Sequence, residues 1–296
     1  MYPAKRTRYQ KHWKNDFVFY FSQPLSGSEQ NHKKNNTILE GDPYMIPKKI
    51  HYFWVGDKPM PEKNKACAES WKKFCPDYEI IEWNESNYDF SVCTYMAQAY
   101  EAKMWAFVPD YARLDIIYRE GGIYLDTDVE LLKSLDSLLN CKAFLGFESQ
   151  MFVALGLGFG AEPGNEILKQ MRDLYHSLSF YKEDGTTNIV PSPFYTTELL
   201  KSYGLQLNGK YQSIQGIDIF PAEYFAPLCF TNNRLKITQN TYSIHWYHAS
   251  WHTPEQKERT KRIQKINRIF GQRLGRIIAV GYFTMIRAKR KIFRKK

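Results

Sequence analysis

The sequence predicts an α/β fold, and three segments of the chain carry that prediction. The first is a β–α–β unit, in which strands near 49–55 and 78–83 flank a helix near 62–74. Two strands joined by a crossover helix in this way are expected to pair in parallel. The second segment is a helix from Pro109 to Glu120, and the third is the short apolar strand that follows it. Proline suits the first position of a helix and a glycine pair suits its exit, which marks both ends of the second segment.

The other elements follow from apolar periodicity and turn residues. The polar, irregular stretch 1–45 is interpreted as an N-terminal extension, followed by a compact domain at 46–254 and a basic helical tail at 255–296. Asp115 and Arg119 form an i,i+4 pair that we expect on the solvated side of their helix. The remaining predictions are helices at 94–104, 130–139, 165–178 and 196–202, a strand at 143–147, strands and turns at 214–230, and a strand entering an aromatic loop at 241–251.

The net charge of +10 is concentrated in the tail. Residues 257–296 contain 15 Lys or Arg and one acid, a net charge of +14, which leaves −4 on the other 256 residues. The main domain is therefore not predicted to bind nucleic acid. No stretch reaches the roughly 18 apolar residues of a membrane span, and the N-terminal region lacks the apolar core of a secretory leader. The five cysteines are widely spaced, so we expect reduced thiols in a cytoplasmic protein.

Two carboxylates, Asp126 and Asp128, follow the apolar run Ile123–Leu125. Side chains two residues apart on extended backbone share one face, with Cα atoms roughly 6.5–7 Å apart. Carboxylates that converge in this way suit Mg²⁺ or Mn²⁺. The carboxyl end of a buried strand is also the usual ligand position in open α/β sheets. The pair therefore predicts a cation site.

Other interpretations of this aspartate pair are weaker. A turn that carries two solvated acids is one of them. A calcium loop would require a third oxygen ligand, a central glycine and a closing glutamate at the proper spacing, which this stretch lacks. A phosphatase with an aspartyl nucleophile usually has Thr or Val where this chain has Glu130, and its motif normally lies in the first strand.

Further candidate residues have two interpretations each. From the residues alone, Trp54 at the end of the first strand suits a core position better than a stacking surface. Asp110 and Arg113, three apart on one helix face, form either an ion pair at the helix start or a ligand-binding pair. Tyr124 suits core packing as well as a place beside a ligand. A late cluster is either an aromatic core patch or a set of ligand contacts, and it consists of His245, His248, Ser250 and Trp251.

In combination, these segments resemble the D-x-D region of glycosyltransferase family 32, a group of bacterial and fungal sugar transferases. A related pattern occurs in the clostridial glucosylating toxins. The resemblance is carried by 110–118 with 121–128, by 50–56 and by 245–251, and it extends over about 46–252. It implies a GT-A fold, which is a Rossmann-like mixed sheet flanked by helices. It also implies a nucleotide-sugar donor, a divalent cation (Mn²⁺ or Mg²⁺) and retention of anomeric configuration.

The resemblance also implies a role for each matching residue. Asp128 would ligate the cation directly, whereas Asp126 would lie near the ribose and sugar and reach the cation through water. Asp110 would hold donor-sugar hydroxyls, and Arg113 would contact the sugar or the diphosphate. Trp54 would stack on the base, which is usually uracil. The other implied contacts are Tyr124 near the nucleotide, His245 or His248 at the cation, and Ser250 and Trp251 at the diphosphate oxygens.

No covalent nucleophile or general base stands out in the sequence. A retaining transfer can proceed by front-face attack, in which the leaving phosphate takes the proton of the acceptor. Candidates for acceptor contacts are Glu148, Asp218 and Glu198. Close approach of the backbone to a ligand is predicted at Gly156, Gly158 and Gly160.

The basic tail 257–296 predicts an amphipathic helix that lies on an anionic membrane surface. The segment 274–286 is too short and too charged to span a bilayer. A basic helix packed on its own domain is the alternative. The tail also predicts breaks in the helix at Gly271, Gly275 and Gly281.

The sequence therefore predicts a glycosyltransferase that moves a hexose from a UDP-linked donor. The expected acceptor is a saccharide or a lipid-linked saccharide of bacterial surface polysaccharide synthesis, at the inner face of the cell membrane. Two alternatives come from other classes of protein. One is a metal-dependent phosphohydrolase that uses Asp126 and Asp128, and the other is a non-catalytic protein whose tail binds membranes or nucleic acid.

Overall fold

The structure is a computed structural model that describes residues 46–56, 58–248 and 253–293. The helices are α1 (Glu62–Phe74), α2 (Thr94–Glu101), α3 (Pro109–Glu120), α4 (Glu166–Leu174), α5 (Ser192–Ser202), α6 (Ala222–Phe225) and α7 (Pro254–Phe293). The strands are β1 (Lys49–Phe53), β2 (Glu79–Trp83), β3 (Gly122–Tyr124), β4 (Val129–Leu131), β5 (Ala143–Ser149), β6 (Phe152–Ala154), β7 (Phe159–Ala161), β8 (Gln212–Ile214), β9 (Ile217–Phe220), β10 (Leu228–Cys229), β11 (Arg234–Leu235) and β12 (Ser243–His245).

The central sheet has eight strands in the order β2-β1-β3-β7-β5-β9-β8, and β6 pairs with β5 outside this path. β1 runs parallel to β2 and to β3, as the β–α–β pattern predicted. β7 runs antiparallel to both of its neighbours, β3 and β5, and β5 is parallel to β9. The carboxyl ends of β1, β3 and β5 therefore lie along one edge of the sheet. This mixed sheet flanked by helices confirms the predicted α/β fold class.

Helices α1 and α3 begin and end where the sequence predicted, because local signals mark their ends. Glu62 lies in the first turn of α1, and Lys72 and Lys73 lie in the last, which complements the helix dipole. α3 starts with Pro109 and ends at Gly121, whose φ of 64° is costly for other residues.

The Asp115 carboxylate of α3 is buried, so the prediction of a solvated Asp115–Arg119 pair is wrong for Asp115. The Asp115 carboxylate accepts hydrogen bonds from the Tyr88 hydroxyl at 2.9 Å and from Arg119 Nε at 3.0 Å. Arg172 of α4 adds a third contact at 3.4 Å. Both sides of α3 are covered, because α3 packs against α2 and α4 as well as against β1 and β3. The apolar pattern could not reveal a polar group that is buried together with its partners.

The helix predicted at 130–139 is also wrong. This stretch forms β4, followed by a short 3-10 helix at Asp136–Leu138. β4 pairs antiparallel with β12, and His245 lies opposite Val129. The partner strand is more than a hundred residues away, so tertiary pairing decides the conformation here and local periodicity does not.

The side chain of His51 in β1 contacts both β2 and the turn between α3 and β3. It is fully buried, its Nδ1 lies 3.0 Å from Trp83 Nε1, and its Nε2 lies 3.0 Å from the carbonyl oxygen of Gly121. An indole N–H can only donate, so Nδ1 accepts and Nε2 carries the proton. Gly122 permits this approach, since a Cβ there would lie 3.1 Å from His51 Nε2 and its φ is 96°.

The burial of His51 predicts a pH dependence of stability. Burial lowers the pKa of His51 from 6.5 to about 4, so the folded protein keeps the imidazole neutral where the unfolded chain protonates it. The free energy of unfolding should therefore fall as the pH falls from 6.5 towards 4, by about 3 kcal/mol in total. Urea unfolding across this range would measure the slope for the wild type and for His51→Gln, which keeps a donor and an acceptor but does not titrate. Equal slopes in the two proteins would contradict the assignment to His51.

A second compact unit comprises Phe230–Asn233 and the described part of the tail. Its helix α7 is interrupted at Gly271, where φ is 73° and ψ is 166°, and it continues through Gly275 and Gly281. The predicted break is thus confirmed at the first glycine alone. Within the described residues, no helix combines the length and the apolar character needed to cross a bilayer. The domain limits 46–254 and 255–296 stay predictions.

Candidate active site

Asp126 and Asp128 lie just beyond β3, at the edge of the sheet where β1 and β5 also end. The Leu125 amide donates to the carbonyl of His51 at 3.0 Å, which extends the β1–β3 pairing up to the first aspartate. The Val129 amide then donates to the carbonyl of Asp126 at 3.0 Å, so the chain turns tightly between the two carboxylates. Both side chains remain reachable, with 26% and 15% of their surface exposed.

The pairing of β12 with β4 brings His245 to this turn. The ligand atoms of Asp126, Asp128 and His245 all lie within 4.8 Å of one another. His245 Nε2 is 3.1 Å from Asp128 Oδ1, and the backbone amide of His248 donates to Asp128 Oδ2 at 2.8 Å. Both oxygens of Asp128 are thus oriented, one by the last residue of β12 and the other by the segment that follows it.

The charges in this cluster are strongly coupled. Burial opposes ionisation of Asp128, but the His245 imidazole and the His248 amide outweigh burial and hold the pKa of this carboxyl well below its usual range. Burial likewise opposes protonation of His245, yet the carboxylates of Asp128, Asp126 and Glu148 raise its pKa. The carboxylates therefore favour a positive charge beside them, either on the His245 imidazole or on a bound cation.

The donor set fits a divalent cation. Two carboxylates and one imidazole supply oxygen and nitrogen ligands of the kind that Mn²⁺ and Mg²⁺ accept. The Nε2 of His245 lies 3.1 Å from Asp128 Oδ1, so this ring nitrogen faces the carboxylate that a cation would share with it. The group that could hold a cation is Asp126, Asp128 and His245. The imidazole of His248 lies outside it and faces Asn64 at 3.2 Å.

Arg113 links the helix α3 to the aspartate pair. Its Nη2 lies 3.3 Å from Asp110 Oδ1 and 3.6 Å from Asp126 Oδ1, and only 6% of its side chain is exposed. Burial raises the pKa of Asp110 to about 6, although Arg113 and Ser192 oppose the shift. The ion pair at the start of α3 is therefore formed, and it is buried. Arg113 also places its positive charge between the buried Asp110 and the partly exposed Asp126.

Tyr124 and Trp54 differ in their surroundings. Tyr124 is buried, its ring lies 5.3 Å from the Arg113 guanidinium, and burial together with the Asp126 carboxylate raises the pKa of its hydroxyl well above the usual range. Tyr124 thus packs against the site residues. Trp54 is half-buried after β1 and lies outside the core clusters of the described chain, and its indole N–H donates to the carbonyl of Lys58 at 2.9 Å. Ser250 and Trp251 lie outside the described residues.

Gly156 lies directly against the site. A Cβ at this position would be 2.4 Å from Asp126 Oδ2 and 3.3 Å from Arg113 Nη1. The close backbone approach predicted at this glycine is therefore made to the site residues themselves. Gly158 and Gly160 instead approach Leu125 and the ring of Phe144, which makes them packing positions.

Sequence reasoning missed Asn64 of α1. Its Nδ2 donates to Thr127 Oγ1 at 2.9 Å, and its Oδ1 lies 3.2 Å from His248 Nδ1, although only 2% of the residue is exposed. Asn64 thus joins the middle of the D-x-D turn to the segment after β12. A signal was present, since Asn64 shares one helix face with the buried Cys67 and Trp71. A polar residue on an apolar stripe indicates a buried partner.

The three acidic candidates for acceptor contacts lie in different places. Glu198 is exposed on α5 and pairs with Lys201. Asp218 of β9 lies opposite Phe144, near the amino end of β5, and accepts a hydrogen bond from the Tyr211 hydroxyl at 2.9 Å. Glu148 lies at the carboxyl end of β5, on the edge that carries the aspartate pair.

Comparison with known protein families gives a match over residues 61–145. The matching family model is described as the glycosyltransferase sugar-binding region containing the DXD motif. The matched segment runs from α1 to the beginning of β5 and contains Asp110, Arg113, Asp126 and Asp128. This part of the chain therefore matches a sugar-binding region of glycosyltransferases.

Two relatives come from Schizosaccharomyces pombe. Inositol phosphoceramide mannosyltransferase 3 is 31% identical over 119 residues, which is 38% of this chain and 32% of the relative. Inositol phosphoceramide mannosyltransferase 1 is 24% identical over 234 residues, which is 75% of this chain and 67% of the relative. The chain thus matches about a third of the length of the first relative and two thirds of the second. Among solved structures, the PaToxG glycosyltransferase aligns with a TM-score of 0.44 and 24% identity over 54% of this chain and 70% of that chain.

Proposed function

We propose that this chain, a glycosyltransferase with a DXD-containing sugar-binding region, moves a hexose from a nucleotide sugar to a hydroxyl acceptor with retention of configuration. The observation that supports this proposal most strongly is the grouping of Asp126, Asp128 and His245 at the carboxyl end of β3. Trp54 follows β1, the strand next to β3, and its half-buried ring would stack on the base at the same edge. The donor we propose is linked to UDP.

The chemistry follows from where charge develops. When the bond between sugar and diphosphate breaks, negative charge grows on the leaving diphosphate, and a bound cation would neutralise it. Asp126, Asp128 and His245 would hold that cation, whereas the buried Arg113 supplies a fixed positive charge beside Asp126. Fixed charges of this kind stabilise the leaving group without reorganising.

The acceptor is the least constrained part of the proposal. A saccharide or a lipid-linked saccharide, as used in surface polysaccharide synthesis, follows from the resemblance of the sequence motifs. The names of the fungal relatives describe mannose transfer to inositol phosphoceramide, which adds mannose as a candidate sugar and a lipid with a polyol headgroup as a candidate acceptor. All of these acceptors present a hydroxyl group as the nucleophile.

A thermal-shift screen tests the proposal. The donors to compare are UDP-glucose, UDP-galactose and GDP-mannose, each with and without Mn²⁺. We expect at least one donor to stabilise the protein in a Mn²⁺-dependent way, by about 2.7 kcal/mol at one hundred times its Kd. Released nucleoside diphosphate in the presence of a saccharide acceptor would then identify the transfer. If no nucleotide sugar stabilises the protein with Mn²⁺, the proposal fails.

We also propose that α7 contacts the inner face of a membrane peripherally. Apolar side chains are exposed along the helix, including Ile269 at 64%, Leu274 at 60% and Ile277 at 69%, and they stand among many Lys and Arg residues. A helix of this kind is attracted to anionic lipid headgroups. Sedimentation with phosphatidylserine vesicles should show salt-sensitive binding. Equal binding to neutral phosphatidylcholine vesicles would contradict an electrostatic attraction of α7 to anionic lipids.

A further inference from the structure

Glu148 occupies a bulge at the carboxyl end of β5. β5 pairs with β6 through Gly146 opposite Ala154 and Phe147 opposite Val153, after which the register shifts so that Ser149 lies opposite Phe152. Glu148 is the residue that this shift leaves without an opposite partner. Bulges re-aim a side chain out of the regular alternation, and they recur next to active sites. The side chain of Glu148 is partly exposed, so a ligand can reach it.

Tyr247 lies beside both His245 and Glu148. Its ring centre lies 4.2 Å from that of His245, and burial together with the Glu148 carboxylate raises the pKa of its hydroxyl well above the usual range. Tyr247 has a φ of 51°, a left-handed conformation that non-glycine residues adopt at a cost. The backbone after β12 is therefore strained at the residue that joins His245 to Glu148.

The carboxylate of Glu148 has acceptor capacity to spare. An ionised carboxylate offers about four acceptor positions, more than the neighbouring Tyr247 hydroxyl could fill. Glu148 also lies close enough to the cation cluster to contribute, after burial and the two aspartates, to the pKa of His245. It is thus a fixed, partly exposed acceptor beside the cation cluster.

The order of strands places Glu148 beside one end of the donor. A nucleotide sugar is linear, with the base at one end, the diphosphate in the middle and the sugar at the other end. Trp54 follows β1, the cation cluster follows β3, and Glu148 ends β5, which is two strand spacings or about 10 Å beyond β3. With the base at β1 and the diphosphate at β3, the sugar lies towards β5.

We propose that Glu148 binds a hydroxyl group of the transferred sugar and selects a neutral hexose. This inference rests on the proposed function, because it assumes a nucleotide-sugar donor at the cation cluster. A carboxylate accepts hydrogen bonds from sugar hydroxyls and repels a second carboxylate. The site should therefore disfavour a uronic acid at the same position.

The test compares UDP with UDP-sugars in the presence of Mn²⁺. Isothermal titration would give the Kd of UDP, UDP-glucose and UDP-glucuronate for the wild type and for Glu148→Gln, which keeps the size and an acceptor for Tyr247. We expect the variant to bind UDP as the wild type does and to bind UDP-glucose about tenfold more weakly. We also expect the preference of the wild type for UDP-glucose over UDP-glucuronate to narrow in the variant.

The matched control is Asp218→Asn, because Asp218 is also a strand carboxylate beside a tyrosine, Tyr211, but lies towards the amino end of β5. It should leave all three affinities unchanged. If Glu148→Gln weakens UDP and UDP-glucose equally, or changes neither, the assignment to the sugar is overturned. A wild type that binds no nucleotide sugar would instead overturn the proposed function, which keeps the two failures distinct.

Discussion

Replacing Asp128 with alanine is expected to abolish cation-dependent donor binding and to lower kcat/KM by about 10³-fold. Asp128 is the carboxylate that the structure orients most completely, since His245 contacts one oxygen and the His248 amide the other. A carboxyl group must be ionised to bind a cation. Asp128 meets this condition because its pKa is held well below its usual range. Titration of Mn²⁺ and of donor into the variant, followed by steady-state kinetics, would measure both effects.

Two further variants make this result interpretable. Asp128→Asn keeps the shape of the side chain and should lose the same activity, which separates loss of charge from loss of packing. Asp218→Ala removes a partly buried carboxylate of β9 that lies near the amino end of β5, away from the aspartate pair, and should keep the kinetics of the wild type. Unchanged Mn²⁺-dependent donor affinity in Asp128→Ala would remove this residue from the cation site.

The parts of the fold that the sequence predicted well are those with local causes. Helix α3 has a proline at its first position and a glycine pair after its end, so residues at the helix itself mark both of its ends. β4 was mistaken for a helix because its conformation depends on pairing with β12, from which it is separated by most of the domain. The burial of Asp115 depends on Tyr88 and Arg172, which the chain brings from other elements.

The candidate site divides in the same way. The place of Asp126 and Asp128 at the end of a strand followed from the apolar run and the glycine pair before them. That His245 rather than His248 faces Asp128 Oδ1 follows from the register of β12, which no local pattern encodes. The resemblance of motifs pointed to Asp110 and Arg113, but the second ion pair of Arg113, with Asp126, became visible only in the folded chain.

Replacing Arg113 with leucine is expected to destabilise the protein by about 3–5 kcal/mol, because it leaves the buried Asp110 and the partly buried Asp126 without their shared cation. The pH dependence tests this cause. Burial already raises the pKa of both carboxyls, and removal of Arg113 should raise them further above the values of the unfolded chain. The folded variant then binds more protons than the unfolded one, so its stability falls as the pH rises through the folded pKa values. Urea unfolding at pH 5 and pH 8 should show a larger deficit at pH 8.

Arg119→Leu is the matched control, since Arg119 lies on the same helix with 45% of its side chain exposed and pairs with Asp115. Its cost should be well below that of Arg113→Leu, because the Arg119 side chain is half exposed and the buried Asp115 carboxylate keeps its contacts with Tyr88 and Arg172. Adding Asp110→Asn to Arg113→Leu should recover part of the lost stability and flatten the pH dependence, since one of the two unpaired carboxylates is gone. A deficit that is equal at both pH values and is not relieved by Asp110→Asn would mean that Arg113 acts through packing against Tyr124, and not through its charge.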